Sequence, residues 1–229
     1  SYGHIVINMS LGGGTVCNGG VQTEITNAIN AGVVVVAAAG NDGGAVNAPG
    51  DCSGVIPVGV TDNTNSIAYF SSRGTVLAQQ GLVAPGVSLL TTDLNSGTAY
   101  ATGTSFSSPM VAGTAALMLS ANPSLSPAQV QADLRAGADD IGQAATLQGA
   151  GRLNAYKALR LAVHGTLAGF DGESKPIAFP NPFRVSRSPL VSFAIPPSLQ
   201  GAGAAVNIYT MDGRFVRVPS RELVPGDLV

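Results

Sequence analysis

The chain has 229 residues, enough for one full hydrophobic core and a small appended unit. Hydrophobic residues make up 45% and charged ones only 10%, with 30 glycines, a composition that excludes a disordered chain. The formal net charge of -2 leaves no basic footprint for nucleic acid or an anionic membrane, and no apolar run reaches the roughly 18 residues that would span a bilayer.

The chain opens on Ser1 with no Met, charged leader or apolar leader segment, and reads as cut from something longer. The first predicted element is a strand from His4 to Leu11, an almost unbroken apolar run of the kind covered on both sheet faces, ended by Gly12-Gly13-Gly14. Residues 20–29 read as a helix with Val21, Ile25, Ala28 and Ile29 on one stripe and Gly32 as its stop. A second strand, Val33 to Ala39, runs into the turn Gly40-Asn41-Asp42-Gly43. Strand, helix and strand within about 35 residues form the βαβ unit of a parallel sheet, so the predicted class is α/β, a parallel sheet flanked by helices. Ligands collect at the carboxyl ends of such strands, where Asn41 lies, although Asn-Asp-Gly alone is equally an ordinary turn. Val55 to Val60 is the next strand, with its turn at Thr61-Asp62-Asn63.

The segment Gly103-Thr104-Ser105-Phe106-Ser107-Ser108-Pro109-Met110-Val111-Ala112-Gly113 predicts a tight glycine turn that hands a hydroxyl to the first turn of a helix, with Pro where no backbone donor is wanted. Ser105 then sits where unpaired N–H groups and the helix dipole favour an alkoxide or oxyanion. Gly-Thr-Ser by itself is equally a plain helix cap. The whole string, however, resembles the nucleophile segment of the subtilisin-like serine proteases, with departures at Phe106, Ser107 and Met110. Phe70-Ser71-Ser72-Arg73-Gly74 and Ala84-Pro85-Gly86-Val87 resemble two further landmarks of that family, in the same order.

The resemblance implies a role for each matching residue. Ser105 is the nucleophile, and the side-chain amide of Asn41 joins the Ser105 N–H as an oxyanion donor. Ser10, Leu11 and Gly12 pair with the substrate backbone by strand addition. Ala38, Ala39 and Gly40 line one wall of the pocket for the residue before the scissile bond, and their small side chains suggest a broad apolar pocket. The substrate is a polypeptide and no cofactor is required; calcium often stabilises such enzymes, but no carboxylate cluster here is assignable as a ligand set. Cys17 and Cys52 have no metal-ligand spacing and read either as two buried thiols or as a disulfide. The resemblance favours the disulfide, and with it secretion from a bacterial cell.

Ser126-Pro127 restarts the chain as a capped helix over about 127–135, with Gln129 placed as its capping-box partner. Residues 149–159 resemble the closing segment of the family's domain, which gives a partial peptidase domain over 1–164 with its N-terminal part missing. Residues 165–178 read as a linker. Residues 179–229 resemble a truncated immunoglobulin-like β-sandwich module, of a kind found as C-terminal secretion-sorting tails, with a hairpin turn at Met211-Asp212-Gly213.

A serine nucleophile needs a base and a carboxylate to orient it. His4 and His164 are the two histidines of the sequence, and neither has the family's context. The expectation is a chain that relies on an upstream segment for its Asp and His and is inactive alone. Two alternatives come from other classes. One is a noncatalytic pseudoprotease that holds peptides along Ser10 to Gly12. The other is an acyl hydrolase on a different α/β fold, whose Gly-x-Ser-x-Gly turn Gly103 to Ser107 does not reproduce.

Overall fold

The computed structural model describes residues 3–14 and 16–168, and beyond them the backbone of four short strands. Two compact units are present, Ser1–Leu167 and Ala168–Val229.

In the first unit four strands form a parallel sheet in the order β1 (Val6–Met9), β2 (Val34–Ala38), β3 (Ile56–Thr61) and β4 (Leu82–Pro85). Every residue of β2 and β3 is buried, which is why their sequences are apolar without alternation. Helix α1 (Gly19–Asn30) covers one face, resting Ile25 against Val33, Val35, Ala37 and Val55. Helix α2 (Thr75–Gln80) enters β4 through Gly81, and after β4 the chain forms the antiparallel hairpin of β5 (Leu89–Thr92) and β6 (Thr98–Ala101).

Helix α3 (Thr104–Ala121) crosses the opposite face. Its Val111, Ala115, Met118 and Leu119 share one cluster with Val34, Val36, Ile56, Val58, Leu82 and Ala84. Val130 and Leu134 of α4 (Pro127–Ala136) and Ala158 and Ala162 of α6 (Ala155–His164) complete that cluster. The short helix α5 (Ala145–Gln148) lies between them in sequence. Helix α4 starts as predicted: Ser126 Oγ accepts from Gln129 N, and Gln129 Oε1 accepts from Ser126 N at 2.9 Å.

Strand β1 behaves differently from its neighbours. It is shorter than the predicted run from His4 to Leu11, and Ile5 and Ile7 are 46% and 38% exposed. Its outer edge has no strand partner among the described residues. Helix α3, apolar on all sides, likewise leaves Met110 and Leu117 exposed.

In the second unit β7 (Ile177–Phe179) pairs antiparallel with β8 (Ser192–Ala194), and β9 (Ile208–Tyr209) with β10 (Phe215–Val216). Strand β7 begins within the predicted linker. The remainder of the predicted β-sandwich over 179–229, its hairpin turn included, lies outside the described residues.

Candidate active site

Helix α3 is delivered to the site by two glycines. Gly86, directly after β4, donates its N–H to Thr61 O at 3.0 Å and accepts from Gly103 N at 2.9 Å. A methyl group on Gly86 would overlap Ser107 Oγ and stand 2.6 Å from Val60 Cγ2, so this close approach admits no side chain. Gly103 has φ of 150°, a conformation that L side chains rarely adopt, and α3 begins at the next residue. Ser105 is therefore the second residue of the helix, and its N–H has no hydrogen-bond partner among the described residues, as befits a first turn.

Pro109 sits one turn deeper than the sequence suggested. It is the sixth residue of α3, inside the helix, and its missing N–H would have served the carbonyl of Ser105 four residues earlier. Ser10 takes that place: its Oγ donates to Ser105 O at 2.6 Å. In return Ser105 Oγ donates to Ser10 O at 3.2 Å. The chain of bonds continues, because Asn8 Nδ2 donates to Ser10 Oγ at 3.0 Å and the buried Ser108 Oγ donates to Asn8 Oδ1 at 2.7 Å. The end of β1 is thus hydrogen-bonded to the start of α3 at both Ser105 and Ser108.

Asn41 arrives from the other side, on the turn after β2. Its Oδ1 accepts from Thr104 N at 2.9 Å and from Thr104 Oγ1 at 3.0 Å. A backbone N–H can only donate, so the oxygen of the carboxamide must be the end facing Thr104, and the Nδ2 hydrogens are turned away. Nδ2 makes no hydrogen bond among the described residues, and neither does the adjacent Ser105 N–H. Two donors without acceptors beside a serine hydroxyl can receive a negatively charged oxygen. Sequence reasoning singled out Asn41 and Ser105 but missed Thr104, whose hydroxyl fixes the amide; the signal available was a Thr directly before the serine.

The remaining expected residues divide into two groups. Leu11 is 60% exposed and, with Gly12, borders a groove of about 1030 Å³ that Ile7, Met9, Val16 and Val21 also line. Ala38 and Ala39 are only 3% and 0% exposed and Gly40 is buried. What stands exposed beside them is polar: Asn41 and Asp42, with Asn47 half-buried.

Cys17 and Cys52 form a disulfide. With Asp51 they are the sole group of potential metal ligands among the described residues, and bonded sulfurs offer no thiolate, so the group does not fit a metal. Neither histidine approaches Ser105. His4 borders a cavity with Ala116, Leu119 and Ser120, about three to four turns along α3 from the serine, or about 16 to 22 Å. His164 ends α6, which lies against the far end of α3 through the bond from Asn122 Nδ2 to Ala162 O at 2.7 Å.

Residues 3–153 match the subtilase family. An extracellular protease of Xanthomonas campestris pv. campestris is 42% identical over 172 residues, covering 70% of this chain and 29% of that protein. Thermitase of Thermoactinomyces vulgaris is 42% identical over 156 residues, covering 68% of this chain and 54% of the enzyme. Among solved structures, the prenylagaramide maturation protease PagA superposes with a TM-score of 0.65 at 30% identity, covering 70% of this chain and 62% of that one. The chain thus spans about half or less of the length of these curated relatives.

Proposed function

The chain belongs to the subtilase family, and we propose that it is the nucleophile-bearing part of a serine endopeptidase that cleaves polypeptides outside a bacterial cell. The observation that carries this reading is the pinned carboxamide of Asn41, held through Thr104 beside Ser105. Ser105 Oγ attacks the scissile carbonyl, and the oxyanion that forms is received by the Ser105 N–H and Asn41 Nδ2. The substrate backbone adds alongside Ser10 to Gly12, and its N–H takes over the Ser10 carbonyl that now accepts from the Ser105 hydroxyl. Binding thereby frees the nucleophile. A base takes the Ser105 proton and returns it to the departing amine as the C–N bond breaks, and water then hydrolyses the acyl-enzyme. No cofactor enters these steps. Location outside the cell is supported by the disulfide and by a relative described as an extracellular protease.

The base and its orienting carboxylate come from a polypeptide segment seated against β1. Support lies in the unpaired outer edge of that strand and in the apolar surface on both sides of it. On the α1 side this is Ile7, Leu11, Val16 and Val21; on the α3 side it is Met110 and Leu117. An open parallel edge flanked above and below by apolar side chains calls for further strand and helix. The test is labelling of Ser105 by a fluorophosphonate probe, with and without the complementing segment. Labelling only when the segment is present is the expected result. Rapid labelling of the chain alone would refute dependence on it, and no labelling in either case would favour a module that holds peptides without cutting them.

A further inference from the structure

The disulfide between Cys17 and Cys52 stands beside a carboxyl group that the protease reading does not use. Asp51 Oδ1 is buried and has no hydrogen-bond partner among the described residues, although Oδ2 of the same side chain accepts from Cys17 N at 2.8 Å. A carboxylate oxygen withheld from every donor costs free energy unless something positive can reach it. Cys17 Sγ, Cys52 Sγ and a carboxylate oxygen of Asp51 lie within 4.8 Å of one another.

The two loops that carry these side chains are joined by more than the S–S bond. Asp51 Oδ2 holds Cys17 N, and Gln22 of α1 grips Ser53, the residue after Cys52. Its Oε1 accepts from Ser53 N at 2.8 Å and its Nε2 donates to Ser53 O at 3.2 Å. Cys52 is itself fully buried and packs in one cluster with Ile25, Val33, Val35, Ala37 and Val55, which fixes it from the core side. Gln22 Oε1 also lies 3.6 Å from Cys17 Sγ, so a further oxygen is within reach of the sulfurs.

We propose that reduction of the disulfide turns this cluster into a binding site for one Zn²⁺ ion, held by the Cys17 and Cys52 thiolates and Asp51 Oδ1. A dithiol attacks one sulfur and its second thiol resolves the mixed disulfide, so the reductant ends as a cyclic disulfide and the chain as two thiols. The ion then displaces both thiol protons to solvent. Two sulfurs and a carboxylate oxygen suit a borderline-soft, four-coordinate ion, with Gln22 Oε1 or water in the fourth position. Ca²⁺ and Mg²⁺ take oxygen ligands and do not fit this set. Zinc and the disulfide use the same two sulfurs, so each state bars the other. The same two loops are therefore clamped by a metal where thiols are reduced and by a covalent bond where they are oxidised. The proposal does not depend on the protease reading.

The experiment uses the full chain reduced with a phosphine, which takes up an oxygen from water as it is oxidised and leaves no thiol to compete for metal. Zn²⁺ is titrated against a chromophoric chelator, and Cd²⁺ is added in parallel to read the thiolate-to-metal band in the ultraviolet. The reduced chain should bind one equivalent of Zn²⁺, and the untreated chain none at the same concentrations. Asp51→Asn keeps an acceptor for Cys17 N but turns the other carboxylate oxygen into a donor, and should weaken zinc binding about tenfold or more. Zn²⁺ should also raise the melting temperature of the reduced chain, and the rise should vanish when Cys17→Ser and Cys52→Ser are combined. No zinc bound by the reduced chain, equal binding by the untreated chain, or no thermal stabilisation by zinc would each overturn the proposal. Affinity within about twofold of the parent in Asp51→Asn would also overturn it, since loose thiols would then be binding without the carboxylate.

Discussion

The hydroxyl of Ser10 donates to the carbonyl oxygen of Ser105 at 2.6 Å, filling the place that Pro109 leaves empty in the helix. A proline inside a helix costs stability because the carbonyl four residues back loses its donor. Here Ser10, directly after β1, supplies the donor, so the defect in α3 becomes the contact that fixes the end of β1 against Ser105. Ser10→Ala should lower turnover of the complemented enzyme about tenfold, the scale of one hydrogen bond lost beside the reacting group. Ser10→Thr should restore it. Pro109→Ala returns an N–H to the Ser105 carbonyl, and in that background Ser10→Ala should cost markedly less. A double-mutant cycle on kcat with no coupling would show that the two residues act independently.

Thr104 and Asn41 make the second prediction. Thr104→Val removes the Oγ1 donor and keeps the backbone one, so the Asn41 amide is held by one bond where two act now. Turnover should fall about five- to tenfold with KM little changed, because only the charged oxygen of the transition state uses the aimed amide. Asn41→Leu should lose about two to three orders of magnitude in kcat, a scale known from subtilisin itself and not obtained from this geometry. An unchanged kcat in Thr104→Val would mean that the backbone N–H alone fixes the amide.

Some of this site was legible before any coordinates. The Val-rich strands, the glycine turn before Ser105 and the Asn after β2 are local patterns, and local patterns survive in sequence. The bonds that align them are not local. Ser10 and Ser105 are 95 positions apart and Asn8 and Ser108 are 100 apart, so nothing in either neighbourhood announces the pairing. Ala38, Ala39 and Gly40 are small, as seen in the sequence, but the surface beside them is set by Asp42 and Asn47, which fold back from the following loop. Strand β1 is shorter than its apolar run because its pairing with β2 spans Val6 to Met9, and Ile5 and Ile7 lie on an exposed face. The short helix α2 and the β5–β6 hairpin carry too few residues for periodicity to show.

The disulfide gives the third prediction. It joins Cys17, in the loop after the glycine run, to Cys52, in the loop that carries Asn47 and Ala48, across a separation of 35 residues. Cys17 N also donates to Asp51 Oδ2 at 2.8 Å, so the same two loops are joined by a hydrogen bond. Closing a loop of this size contributes about 4 kcal/mol in the chain-entropy treatment. Replacing both cysteines with alanine should lower the unfolding free energy by about 2 to 4 kcal/mol in denaturant titration. A loss below about 1 kcal/mol would mean that the loops stay together through the remaining contacts alone.

Acid should destabilise the fold late and steeply. Hydrogen bonds hold three carboxyls below the ordinary 3.8: Asp42 chiefly through Ser72, Asp62 chiefly through the Thr64 side chain, and Asp140 chiefly through Gln148. A carboxyl whose folded pKa is depressed contributes stability above its unfolded value and loses it as pH falls through the folded one. Asp133 works in the opposite sense, since burial raises its pKa, and its protonation relieves a cost on the way down. The denaturation midpoint should therefore change little between neutral pH and about 5, then fall below 3.8 as the three carboxylates are protonated. Thr64→Val removes the main hydrogen bond that lowers Asp62, and should reduce stability at pH 7 while making the acid decline shallower. Stability that rises continuously from neutral pH to 3 would show that relief of Asp133 outweighs the other three, and would reverse the sign assigned here.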